Sequence, residues 1–111
     1  MTLQEQAEAL LDDIRNALSI TWEDADTDKQ IKGIIARGIA RLNDIAGIEV
    51  DYIQEDSGKE LLINYCFYAR NNALDQFFTN FLMEISAFQL REEVKQHIAE
   101  NADGEGSTII P

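Results

Sequence analysis

LLINYCFYARNNALDQFFTNFLMEISAFQLR, residues 61–91, is the stretch on which the fold turns. Seven of the nine aromatic residues lie in it (Tyr65, Phe67, Tyr68, Phe77, Phe78, Phe81 and Phe88), and only Arg70, Asp75, Glu84 and Arg91 are formally charged. It contains neither Gly nor Pro, and from Leu61 to Ala69 every residue but Asn64 is apolar or aromatic. A helix with no clean polar face must be covered by protein on most sides. The stretch reads as the long central apolar helix of a small all-α bundle. What it fails to bury at home is surface for a neighbouring subunit.

The helical pattern around it runs from Lys59 to about Glu100. One straight helix of about 41 residues would be roughly 60 Å long. A compact domain of this length is nearer 35–40 Å across, from an expected radius of gyration of about 13 Å. So the helix breaks, or its far end projects. Asn71-Asn72, Thr79-Asn80 and Ser86 are its weakest helix formers. The expectation is a first long helix to about residue 80–90, a kink or short gap, then a more polar helix to about residue 100.

Upstream, Leu3, Ala7, Leu10, Leu11, Ile14 and Leu18 fall on one stripe of a helix over residues 3–18, and Thr2 with Glu5 has capping-box spacing. Residues 28–46 form a second helix, with Ile31, Ile34, Ile35, Ile39, Leu42, Ile45 and Ala46 on its buried side and Gly47 ending it. Thr27 with Gln30, and Ser57 with Glu60, repeat the capping-box spacing at the second and third helix starts. Gly33 and Gly38 lie inside the second helix, each costing on the order of 1 kcal/mol against Ala. Such a cost suits either a close helix crossing or an exposed position. Between the helices, SITWEDADT (19–27) is a connector, and Trp22 within it either plugs the core or anchors an interface. GIEVDYIQEDS (47–57) is a loop with a short extended piece at Ile48, Val50 and Tyr52. Residues 1–100 read as one helical domain and 101–111, ADGEGSTIIP after Asn101, as a flexible tail.

The chain of 111 residues carries 21 acidic and 9 basic side chains, a formal net charge of −12. Affinity for nucleic acid comes largely from Lys and Arg at phosphates, so this balance excludes ordinary DNA or RNA binding. It equally disfavours an anionic membrane surface. It suits solubility, or a surface beside DNA to which a duplex does not stick. The N-terminus lacks a basic region followed by an apolar core, and no apolar run suits a membrane span.

No catalytic constellation emerges. Asp24, Asp26 and Asp28 open like a calcium loop, but Lys29 stands where the turn Gly is needed and Ile35 where the bidentate Glu belongs. Those acids suit a helix N-terminus instead. His97 and Cys66 are the only residues of their kinds and have no positioned partner for nucleophilic work. A lone Cys in an apolar run is a small hydrophobe. No phosphate loop, dinucleotide fingerprint or metal-ligand cluster occurs, so no cofactor and no enzymatic activity are expected.

The segment TWEDADTDKQIKGIIARGIARLNDIAG (21–47) resembles the first half of the tailed-phage head–tail connector family, the head-completion or DNA-packaging adaptors. DYIQEDSGKELLINYCFYARNNALDQFFTNFLMEI (51–85) is similar to its second half. The shared features are the acidic helix start, the end at Ala46-Gly47, the loop into Glu60-Leu61-Leu62, then Tyr65-Cys66, Tyr68-Ala69, Asn72-Ala73 and Phe77 with Phe81. These are packing motifs, and the likeness covers roughly residues 20–90.

The resemblance implies a structural virion protein of a phage or prophage, made in the bacterial cytoplasm and ending at the head–tail junction. It implies a ring of about a dozen copies under the portal that extends the DNA channel and docks the next connector or the tail; assembly can need the portal as template, so isolated protein can be monomeric. Candidate contacts with the next subunit or the portal are Trp22, Arg37, Arg41, Phe77, Phe78, Phe81, Phe88 and the tail tip Ile109-Ile110. A reading from another class is an acidic regulatory protein that sequesters a basic partner or mimics DNA. That reading needs one contiguous acidic face, whereas the acids here are spread over helix starts and loops.

Overall fold

The computed structural model describes residues 2–103, with side chains to Ile98. Five helices follow one another: α1 (Leu3–Ala17), α2 (Ala25–Ala46), α3 (Ser57–Arg70), α4 (Leu74–Asn80) and α5 (Leu82–Asp103). The described residues contain no strand. The protein is all-α.

The helix starts are set by side chains that satisfy free backbone amides. At α1 the Thr2–Glu5 capping box forms in both directions, at 3.1 and 2.8 Å. The second start lies three residues earlier than expected. Asp24, not Thr27, is the cap, and its carboxylate accepts from the Thr27 amide at 3.2 Å and the Thr27 hydroxyl at 2.7 Å. At α3 the cap is Asp56 rather than Ser57, accepting from the amides of Gly58 and Lys59. In both cases a carboxylate one to three residues upstream competes successfully with the hydroxyl, because a charged acceptor makes the stronger bond. Gly47 ends α2 at φ +78°, a conformation that a Cβ would strain.

The expected long helix through residue 80 or beyond is absent, and three helices occupy its place. The first break falls at residues 71–73, where Asn72 adopts φ +54° and the Ala73 amide donates to the Tyr68 carbonyl at 2.8 Å. Asn tolerates the left-handed region better than most residues. The second break is the single residue Phe81. Burial explains why the chain turns. In one straight helix Tyr65 and Phe77, twelve residues apart, would stand about 18 Å from each other. Folded back, their ring centroids are 5.7 Å apart, and Phe77 also meets Tyr68, Phe78 and Phe81 at 6.0, 5.1 and 5.3 Å. Phe77 is wholly buried as a result.

The core runs from Ala7, Leu10 and Ile14 of α1 through Ile31, Ile35, Ile39 and Leu42 of α2 to Leu62, Cys66, Phe77 and Phe88. At Gly38 the crossing of α2 and α3 is tightest. A Cβ there would sit 2.8 Å from both Leu62 Cδ1 and Tyr65 Cδ1. The 47–56 loop, expected to contain an extended piece, is pinned by Asn43. Its side-chain oxygen accepts from the Val50 amide at 3.1 Å and the Tyr52 hydroxyl at 2.8 Å, so Tyr52 is buried with its polar end satisfied.

The molecule measures 56 × 29 × 19 Å with a radius of gyration of 16.1 Å, above the roughly 13 Å of a compact chain of this size. Helix α5 accounts for the excess. It turns Ile85, Phe88 and Glu92 onto the body, and from Glu93 to Ile98 every side chain is exposed. It also runs past the expected end near residue 100, to Asp103. The remainder of the expected tail, 104–111, lies outside the described residues.

Candidate interaction surfaces

The nine basic side chains are not used alike. Arg15 pairs with Asp28, Lys32 with Glu8, Lys59 with Asp13 and Glu55, and Arg91 and Lys95 with the buried Glu92. Lys59 is buried in α3, and hydrogen bonds to the Asp13 and Glu55 carboxylates hold its pKa above the usual lysine value. Lys29, Arg37, Arg41 and Arg70 make no ion pair among the described residues. All four are exposed. In a protein with a net charge of −12, four cations left unpaired on one side require an explanation.

Three of them line one groove of about 600 Å³ between α2 and the end of α3. Lys29 and Arg37 come from α2 and Arg70 from α3, and the floor is Gly33, Ile34, Tyr65 and Ala69. No acidic residue lines it. The fourth, Arg41, lies one turn along α2 from Arg37 and stacks over the Phe78 ring at 4.9 Å. Burial pushes the Tyr65 phenol upward, while the positive charges of Arg37 and Arg41 pull the other way. The surface can hold a carboxylate-bearing segment with an apolar side.

Helix α5 supplies a second surface of different chemistry. Met83, Leu90, Val94 and Ile98 are 83%, 62%, 47% and 62% exposed. With Ala87 they recur every three or four residues along one stripe, opposite the stripe of Ile85, Phe88 and Glu92 that faces the body.

Of the residues singled out from the sequence, Arg37, Arg41, Phe78 and Phe81 come together on the α2–α3–α4 side, Phe78 and Phe81 being half-buried there. Phe77 and Phe88 are core residues and present no free surface. Trp22 does not plug the core. It is 51% exposed on the α1–α2 connector, where its carbonyl accepts from Arg15 Nη2 at 2.5 Å. Ile109 and Ile110 lie outside the described residues. Sequence reading missed Lys29 and Arg70, which reach the groove only because α3 ends beside α2. It also missed the outer stripe of α5, although its spacing of three and four residues was visible.

No group of three or more His, Cys, Asp or Glu side chains that could hold a metal ion occurs among the described residues, and no described helix is long and apolar enough to cross a membrane. Comparison with known proteins finds no matching family model, curated protein or solved structure.

Proposed function

We propose that the chain is a structural, non-enzymatic head–tail connector subunit. It assembles with copies of itself below the portal of a tailed phage or prophage, lines the DNA channel and receives the next connector or the tail. The observation that carries the reading is the pairing, on one small acidic helical domain, of two unsatisfied surfaces of different chemistry. One is the groove with its unpaired cations, the other the apolar outer stripe of α5. A ring is built from head-to-tail contacts, so each subunit needs two unlike adhesive surfaces. The remaining surface is acid-rich and would repel a passing duplex rather than bind it.

The sequence likeness over residues 20–90 to head-completion proteins supports the same role. A DNA mimic or sequestering protein fits less well. Such a protein would direct one acidic face at its partner, and here an uninterrupted basic groove faces outward. The test is to mix the purified protein with portal-bearing, DNA-filled heads and image them by electron microscopy. A ring on the portal and a gain in tail attachment are expected. A protein that leaves such heads bare, or sits on them as single copies, would overturn the proposal.

A further inference from the structure

The two unsatisfied surfaces match each other. We propose that the projecting end of α5 from one copy docks in the α2–α3 groove of the next copy, and that this is the head-to-tail contact of the assembly. The inference deepens the connector reading and rests on it.

Geometry rules out the same contact within one chain. Helix α5 begins beside the end of α3, with Phe81 5.9 Å from Tyr68, and passes the start of α3 where Arg91 donates to the Ser57 hydroxyl. It therefore runs antiparallel to α3, and everything beyond Glu92 leads away from the groove at the other end of α3. The deep cover on α5 ends at the same point, since Glu92 is 4% exposed and every residue from Glu93 to Ile98 is exposed.

Size and charge then fit. Leu90, Val94 and Ile98 lie along eight residues of helix, about 12 Å, and the α2 wall from Lys29 to Arg37 has the same length. The apolar stripe of α5 would lie on Ile34, Tyr65, Ala69 and Leu74 of the groove. Glu93 borders the stripe and brings negative charge to Lys29, Arg37 and Arg70. This is a helix laid in a groove through anchors at i, i+4 and i+8, oriented by opposite charges at the rim.

The test separates this contact from like-with-like pairing of α5. One variant carries Leu90→Asp with Val94→Asp, the other Arg37→Glu with Arg70→Glu. All four positions are exposed, so both variants should keep the helicity and melting profile of the parent. A milder pair, Val94→Ser and Arg37→Gln with Arg70→Gln, serves if either does not. In sedimentation the parent should associate progressively as concentration rises to the millimolar range, and each variant alone should be monomeric. An equimolar mixture of the two variants should form a dimer and stop, because one intact groove and one intact α5 remain. A parent that stays monomeric, a mixture that stays monomeric, or a groove variant that associates as well as the parent would each overturn the contact. If heads bearing portals recruit both variants in parental copy number, the contact fails and the connector role stands. If the mixed dimer forms while heads recruit none of the proteins, the contact stands and the connector role fails.

Discussion

Gly33 and Gly38 sit five residues apart in α2, and replacing each with Ala should change stability in opposite directions. Helix propensity favours Ala by about 1 kcal/mol at both sites. At Gly33 the new Cβ meets only the Nη1 of Arg37 at 3.4 Å, the far end of a flexible side chain, so most of that gain should survive. At Gly38 it would stand 2.8 Å from Leu62 Cδ1, 2.8 Å from Tyr65 Cδ1 and 3.1 Å from Tyr65 Cε1. Carbon atoms pack best at about 3.5–4.0 Å, so the neighbours must retreat by more than half an ångström. Leu62 is fully buried, and the Tyr65 ring is held by Phe77, 5.7 Å away edge to face. Overpacking of this kind costs about 1–3 kcal/mol, which exceeds the propensity gain by about 1 kcal/mol at the middle of that range. The two variants should differ by about 2 kcal/mol. At roughly 4 °C per kcal/mol for a domain of this size, that is a gap of about 8 °C between their melting temperatures. Urea and thermal unfolding followed by circular dichroism measure it. If Gly38→Ala proves as stable as Gly33→Ala, the close crossing of α2 and α3 is wrong.

Three further outcomes follow from local geometry. Hydrogen bonds from the Thr27 hydroxyl and amide hold the Asp24 carboxyl below its ordinary value, and bonds from the Thr2 amide and hydroxyl do the same for Glu5. Carboxylates held low stabilise the fold above their unfolded-state values of about 4, and that contribution is lost as pH falls through the folded-state values. Asp24→Asn keeps a good cap without the charge. Its stability deficit against the parent at pH 7 should shrink towards pH 3 in urea unfolding, and a constant deficit would refute the assignment. Burial pushes the Cys66 thiol up to about 12, and the residue is fully covered, so an aromatic disulfide reagent should label it only as fast as the protein unfolds. Rapid labelling of the native protein would count against the packing of α3. Asn72 at φ +54° should accept Gly with little change, while Asn72→Val should lower stability by about 1–2 kcal/mol, because a β-branched side chain clashes in the left-handed region. Equal melting temperatures for the two would remove the break at residues 71–73.

What the sequence by itself determined is the part governed by neighbours within about four residues. The apolar stripes of α1 and α2, the Thr2–Glu5 box and the Gly47 terminus are each set by a helical turn acting on itself, so they stand where the pattern puts them. Even there, Asp24 and Asp56 displaced the expected hydroxyl caps, since several acceptors near a helix start compete and only their positions choose among them. Residues 61–91 exceeded that range. Their composition demanded cover on all sides, but a continuous helix and a folded-back one satisfy the same helical pattern. The choice fell to contacts twelve residues apart, Phe77 against Tyr65, which exist only once the chain has turned at Asn72. Helix α5 repeats the lesson. It carries apolar residues on two opposite stripes, and which one became core was decided by Val50, Gly58 and Ser57 gathering around Phe88 and Arg91. The basic groove is tertiary in the same sense, because Lys29 and Arg70 are 41 positions apart and become one surface only when α3 ends beside α2.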